Sequence, residues 1–391
     1  MPVAERTRKR KKNHKTEYYF DYSLLFVILF LLGFGMLMIY SASSYTAYLD
    51  YNGDSAHYLK KQLLACILGM IAMTVVANIP YHFWERFAIL AYIFSIAIIP
   101  VVKTPLGISS HGATRWFKIP GIGLQVQPAE IVKLCMILFL ACLVCKLGRN
   151  AGTLKGFLFM LVIAMPQAIM IWKITSNLSS AIIVVGIAVL MIFVADPHYK
   201  KYVLIGSGVA AAASALVYWI ITTDAAGGNF RFKRIAIWLH PETDPEGVGF
   251  QTLQGLYAIG SGGIWGKGLG QSMQKLNFLP EAQNDMIFSI ICEELGLFGA
   301  VAVILMFVIL LWRMMIIANN APDLFGAMLV VGVIGHIAIQ VILNIAVVTN
   351  SIPNTGISLP FISYGGSSVM FLLIEMGLVL SVARRIQLKE V

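Results

Sequence analysis

Apolar residues along this chain collect into long runs, and the polar residues collect between them. A helix needs about 20 predominantly apolar residues to cross the hydrocarbon of a bilayer. Runs of that kind predict ten spans, near residues 23–41, 63–79, 86–102, 129–147, 156–172, 178–195, 202–221, 286–312, 324–349 and 368–383. The expected fold class is an all-α polytopic membrane protein. An even number of spans puts both termini on one side. The three longest connections, 103–127, 222–285 and 350–367, then fall together on the other side. Segments that long inside a packed domain are usually functional or disordered.

Charge decides which side is which. Lys and Arg accumulate on the cytoplasmic side of membrane proteins. Seventeen of them lie on the side of the termini against eleven on the other, with Lys133 inside a span. Both termini are therefore expected in the cytoplasm, and the long loops outside. The chain divides into a basic N-terminal arm (1–22), a membrane domain (23–383) with its largest external loop at 222–285 between spans 7 and 8, and a short cytoplasmic tail (384–391).

Composition narrows the class further. With 58% hydrophobic and 12% charged residues, the chain is not that of a soluble protein, so its net charge of +10 does not point to nucleic acid. Arg6, Arg8, Lys9, Arg10, Lys11, Lys12 and Lys15 read instead as an anchor near anionic lipid. The first apolar run is longer than the core of a secretion signal and more spans follow, so it reads as a retained anchor. The five cysteines lie inside apolar runs, with no disulfide framework or zinc spacing. Internal repeats are not evident, which disfavours a transporter built from inverted repeats.

Candidate chemistry centres on Asp285, where a Pro- and Gly-rich loop turns into the eighth span. A carboxylate at a membrane edge is costly unless solvated or partnered. It reads either as an N-terminal cap of the helix or as a catalytic base. Glu293 and Glu294 follow in the same span and need cationic or hydrogen-bonding partners. Glu130 and Lys133, at i and i+3 after Pro128, can pair on one helix face. That pair reads as structural, or as one whose lysine also meets an anionic group. Arg115 beside Trp116 supplies an external cation, and Arg231, Arg234 and Lys267 add more in the largest loop. Gly266-Lys267-Gly268 fails as a phosphate-binding loop because Ser261 stands where a Gly is needed and Gly268 where a Ser or Thr is needed. Gln340 and Asn344, at i and i+4, put two amides on one face of the ninth span. Segment 353–368, with two prolines, a Gly pair and Ser363, reads as a shaped external loop. The seven histidines form no metal-ligand pair.

In chain order these pieces resemble the SEDS family, the cell-wall and sporulation membrane proteins FtsW, RodA and SpoVE. The likeness rests on Tyr40-Ser41-Ala42-Ser43-Ser44, Arg115-Trp116, Gln127-Pro128 with Glu130 and Lys133, Arg231 with Arg234, and Asp244-Pro245 with Gly247, Gly249, Phe250 and Gln251. It continues through Gly260-Ser261-Gly262-Gly263, Phe278-Leu279-Pro280-Glu281, Asp285 with Ile287-Phe288, Glu293-Glu294-Leu295-Gly296, and Pro360-Phe361 with Ser363-Tyr364-Gly365-Gly366-Ser367. Ala282-Gln283-Asn284 and the motif at Tyr40 are closer to FtsW or SpoVE than to RodA. Two stretches depart from the common pattern. Ser176-Asn177-Leu178-Ser179 lacks an acidic residue found in many members, and Leu239-His240-Pro241 has His in place of Asp.

The resemblance implies a peptidoglycan glycosyltransferase that polymerises lipid II at the outer membrane face, with its essential aspartate at Asp285. It implies a polar in-membrane pair at Glu130 and Lys133. Arg115, Arg231, Arg234, Lys267 and Ser363 become candidates for holding substrate. No cofactor is required by any motif, although a divalent cation, Mg or Mn, would suit the diphosphate. The implied partners are lipid II, a class B penicillin-binding protein, other divisome membrane proteins and membrane lipids, at the bacterial cytoplasmic membrane and in particular the division septum. A lipid II flippase or a non-catalytic divisome scaffold would fit the same composition.

Overall fold

The computed structural model describes residues 21–110, 113–118, 125–196, 199–222, 230–244 and 247–386. Most of the basic arm and of the tail therefore lie outside the described residues. From the N-terminus the chain forms α1 (Tyr22–Asp50), α2 (His57–Asn78), α3 (Tyr81–Arg86) and α4 (Ala88–Ile98), then strands β1 (Gly107–Ser110), β2 (Ala113–Lys118) and β3 (Gln125–Val126). Helices α5 (Pro128–Leu147), α6 (Leu154–Ile174), α7 (Leu178–Ala195) and α8 (Tyr199–Thr222) follow. The remainder is α9 (Phe230–Leu239), α10 (Val248–Gly262), α11 (Ile287–Asn319), α12 (Leu324–Val348) and α13 (Gly366–Ala383).

Among the described residues, eight helices are long and apolar enough to cross a membrane: α1, α2, α5, α6, α7, α11, α12 and α13. The expected third span is shorter than one continuous helix. It is built from α3, α4 and a 3-10 turn, Ile99–Lys103, that follows directly. The expected seventh span coincides with α8. Helix starts follow local chemistry. The side chains of Asp21, Thr153, Asn177 and Asp323 each accept a backbone N–H at the start of α1, α6, α7 and α12, at 2.9, 3.1, 3.0 and 2.8 Å, satisfying a donor that the helix leaves free. Pro128 opens α5, where its missing N–H costs nothing.

Side-chain pairs fix which helix ends lie together. Asp21, before α1, bonds Arg313 near the end of α11 at 2.7 Å. Arg384 after α13 bonds Asn78 at the end of α2, and Tyr81 at the start of α3 bonds Asp323 at the start of α12. These ends form the face expected in the cytoplasm. The opposite ends carry the start of α5, the strands, Asp285 and residues 350–366. Helices α12 and α13 are the most enclosed of the eight. The main core runs among α5, α7, α12 and α13 with α1, α2 and α11 packed around it.

The outer segments hold more structure than their loop-like sequence suggests. Strands β1, β2 and β3 form a three-stranded antiparallel sheet, with Phe117 and Val126 packed on Val102, Ile131 and Phe371. The largest loop contains α9 and α10. Helix α11 is not continuous, because Gly296 breaks it with φ 66°. The segment after α10 fills the break: Lys267 and Gly268 donate to the carbonyls of Glu293 and Glu294, and Leu297 and Phe298 donate to Gly263 and Ile264. Backbone polar groups freed at a break must find partners within the protein. A Cβ at Gly296 would stand 2.4 Å from the Gly266 nitrogen, and one at Gly266 would stand 2.2 Å from the Glu294 oxygen, so both positions need glycine.

Candidate active site

Asp285 lies two residues before α11, and it does not cap that helix. Met286 occupies the capping position, with no side-chain bond into the first turn. The Asp285 carboxylate is 8% exposed, and among the described residues it has no cationic partner within salt-bridge distance. Among the described residues its side-chain hydrogen-bond partner is Gln251, whose Nε2 lies 3.5 Å away, and Gln251 is itself held by Asn354 at 3.0 Å. Burial pushes the Asp285 carboxyl up to about 7, and the neighbouring Glu281 adds to the rise, while the Asp285 and Met286 backbone N–H groups and Gln251 partly offset it. Gly356 faces the carboxylate. A Cβ there would stand in ordinary van der Waals contact with Oδ2, at 3.7 Å, and the φ of 67° at this position favours glycine.

Loop and helix backbones fix Asp285 in place. Asn344 Nδ2, on α12, donates to the Asp285 carbonyl at 2.8 Å and to the Ile357 carbonyl at 2.6 Å. Tyr364 donates its N–H to the Gln283 carbonyl at 2.9 Å, and Ser179 on α7 donates to the Thr355 carbonyl. Thus Ser179 pins the 353–364 loop and Asn177 caps α7, both with neutral side chains. Asn277, Glu281 and Phe361 have φ of 70, 55 and 63°, a conformation that costs about 1 kcal/mol or more for a residue with a Cβ.

The Glu130–Lys133 pair sits in the same region. Lys133 Nζ lies 2.9 Å from Glu130 and 3.4 Å from Gln340 Oε1. Gln340 precedes Asn344 by one helical turn, about 6 Å along α12, so one face of α12 links the lysine to the aspartate. Lys133 is 1% exposed. In this arrangement its ammonium is committed to Glu130 and Gln340, and an anionic ligand reaches it only by displacing Glu130.

The other candidate residues fall into three groups. Arg115, on β2, is partly buried and its Nε has no hydrogen-bond partner. Burial lowers its pKa, yet a guanidinium stays charged. Lys267 pairs with Glu293 at 2.7 Å, and Ser363 Oγ accepts the Leu359 N–H at 2.7 Å, so both are held within the protein. Arg231 and Arg234 fall on α9, and their side chains lie outside the described ones.

Glu293 and Glu294 find the partners that their burial demands. Glu293 accepts from Lys267, Ser272, and the N–H groups of Met273 and Gln274. Glu294 accepts from Lys275 at 2.9 Å and from Ser41 on α1 at 2.7 Å. These bonds hold segment 263–275 against α11 and leave Asp285 as the uncommitted carboxylate of its stretch. Sequence reasoning also missed His336 and Glu375, buried on α12 and α13 with Nδ1 and Oε2 2.8 Å apart. The signal was available as a titratable residue inside each of two apolar runs. Among the described residues no three His, Cys, Asp or Glu side chains are grouped so as to hold a metal ion.

A helical membrane domain with an outward-facing, loop-enclosed carboxylate is the class that fold and site define. The Cell cycle protein family model, which covers FtsW, RodA and SpoVE, matches residues 22–388, and the chain belongs to that family. It is 40% identical over 368 residues to stage V sporulation protein E of Bacillus subtilis, covering 93% of this chain and 97% of that protein. It is 37% identical over 381 residues to a probable peptidoglycan glycosyltransferase FtsW of Trichlorobacter lovleyi, covering 97% and 96%. Among solved structures, a chain from a peptidoglycan synthase complex that coordinates polymerization and crosslinking aligns with a TM-score of 0.74 at 26% identity, covering 93% of this chain and 98% of that one. The rod shape determining protein RodA of Thermus thermophilus shares the fold, with a TM-score of 0.66 at 24% identity, covering 95% and 98%.

Proposed function

We infer that this protein is a peptidoglycan glycosyltransferase that polymerises lipid II into glycan strands at the outer face of the bacterial cytoplasmic membrane, in particular at the division septum. The observation that carries the reading is Asp285. It is a buried carboxylate with no cationic partner among the described residues, its pKa pushed up to about 7 by burial, and it lies beside a residue without a side chain, Gly356. A general base works best with a pKa near the operating pH.

In the reaction, the 4-hydroxyl oxygen of a GlcNAc attacks the anomeric carbon of a MurNAc. The new C–O bond forms as the bond to the diphosphate breaks, and undecaprenyl diphosphate leaves with the electron pair. Asp285 takes the hydroxyl proton. Charge developing on the diphosphate calls for a cation near the membrane edge. Arg115, with an unmatched Nε, is the residue best suited to receive it. Lys133 holds the backbone of the site through Gln340, and meets the diphosphate directly only if Glu130 swings away. A divalent cation would arrive with the diphosphate, and its contribution is measured by assaying with and without chelator.

The protein works beside a class B penicillin-binding protein that crosslinks the strands. The test is to purify the chain with such a partner and supply labelled lipid II in detergent and in liposomes. Glycan polymer in detergent supports the enzyme. Lipid translocation in liposomes with no polymer in either setting favours a flippase, and neither activity favours a scaffold.

A further inference from the structure

Three polar residues, His336, Gln340 and Asn344, occupy one stripe of the otherwise apolar helix α12. Gln340 and Asn344 reach the site. His336 lies one turn deeper, is fully buried, and touches neither Asp285 nor Lys133. We propose that His336, held by Glu375, is a positioning residue that fixes the Gln340 side chain and through it the Lys133 ammonium and the Ser358 backbone. This rests on the reading of Asp285 and Lys133 given above.

Hydrogen-bond polarity carries the inference. The Ser358 carbonyl can only accept, so the Gln340 atom 3.0 Å from it is the amide nitrogen. Gln340 Oε1 therefore points the other way, toward Lys133 Nζ at 3.4 Å and His336 Nε2 at 2.9 Å. An amide oxygen can only accept, so His336 Nε2 must carry a hydrogen. The other ring nitrogen, Nδ1, lies 2.8 Å from Glu375 Oε2, and one proton is shared across that contact. Wherever that proton sits, Nε2–H remains a donor to Gln340. Glu375 thus sets the histidine's donor, the histidine sets the amide, and the amide sets Lys133 on α5 and Ser358 in the 353–364 loop. Ser358 follows Ile357, whose carbonyl is held by the same Asn344 that holds Asp285.

Without the Glu375 partner the imidazole is free to carry its hydrogen on Nδ1. In that form Nε2 is an acceptor facing the Gln340 oxygen, so the histidine stops holding the amide, which is then kept by Lys133 and Ser358 alone and can turn over. Turning it removes the Ser358 bond and puts a donor against the Lys133 ammonium. Misplacement of a catalytic framework by about 1 Å costs on the order of a hundredfold in rate.

Glu375→Gln and Glu375→Leu separate positioning from packing. The glutamine donates to Nδ1, keeps the hydrogen on Nε2, and should retain most of the turnover. The leucine should lower kcat by on the order of tenfold to a hundredfold, with a smaller change in KM. His336→Leu combined with Glu375→Leu removes both polar partners, so no group is left buried and unpaired from that contact, and a folded protein is expected. That double variant should melt within a few degrees of wild type in detergent yet lose kcat as Glu375→Leu does. Wild-type kcat in the folded double variant, or equal kcat in Glu375→Gln and Glu375→Leu, overturns the proposal. Asp285→Ala is assayed in parallel. If it stays active, the reading of the site has failed; if it is inactive while the double variant is fully active, only the positioning role has failed.

Discussion

The side-chain amide of Asn344 donates to the backbone carbonyl of Asp285 at 2.8 Å, and the same nitrogen donates to the carbonyl of Ile357 at 2.6 Å. One buried amide thus joins α12, Asp285 at the approach to α11 and the loop that carries Gly356. Replacing Asn344 by leucine would leave two buried carbonyls without that donor, at about 1–3 kcal/mol each. The expected outcome is a protein that still inserts but makes polymer at least tenfold more slowly, measured by initial rates with labelled lipid II. Wild-type rates would show that Asp285 is placed by other contacts.

The pH dependence follows from the raised pKa of Asp285, about 7 against an ordinary 3.8. Below pH 7 the carboxyl is mostly protonated and cannot accept the hydroxyl proton. The rate should therefore rise with pH through about 6–8 and then level. The same shift acts on stability with the opposite trend. Between 3.8 and 7 the folded protein binds more protons at this site than the unfolded chain, so the Asp285 contribution becomes less favourable as pH rises through that window. Asp285→Asn removes this component, and comparing melting temperatures of the two proteins at pH 5 and pH 8 checks it.

The Glu130–Lys133 pair is buried on both sides, with contacts at 2.9 Å. Lys133→Met leaves the Glu130 carboxylate unpartnered, a change of about 3–5 kcal/mol for a buried pair. Adding Glu130→Gln should restore the melting temperature while the polymerisation rate stays low. Recovery of both together would make the pair purely structural.

At the break in α11, the Cβ of Gly296→Ala would stand 2.4 Å from the Gly266 nitrogen and from the Ile264 oxygen. Such overpacking costs about 1–3 kcal/mol before any penalty for the positive φ. A lowered melting temperature is expected, together with faster proteolysis in segment 263–275, which Glu293 and Glu294 otherwise hold. An unchanged cleavage pattern would separate that segment from the break.

The spans were legible because their signal is local. Apolar runs long enough to cross a bilayer fall where the eight long helices lie, and Pro128 opens α5 in space as its place in the sequence suggests. The short outer elements were not legible. Strands β1 to β3 and helices α9 and α10 are short and carry Gly and charge, and they are stabilised by docking, as when Trp238 on α9 donates to the Asn350 carbonyl at 2.9 Å. In the site, Asp285, Gln340 and Asn344 stood out as polar residues at awkward positions. Their partners did not, because a bond such as Gln340 to Lys133 spans 207 residues of chain, and neither periodicity nor composition encodes it. The commitment of Lys267 to Glu293, and the role of Gly356 beside Asp285, emerge only once the loops are folded.

The most direct test concerns Asp285 itself. Purified wild type and Asp285→Ala, each with the same class B penicillin-binding protein and each shown to be folded by its melting curve, are given labelled lipid II, and the glycan polymer is resolved by length. General bases contribute about 100- to 10,000-fold, so the variant should make polymer at no more than about a hundredth of the wild-type rate. A folded Asp285→Ala protein that polymerises lipid II at the wild-type rate would contradict the assignment of Asp285 as the base.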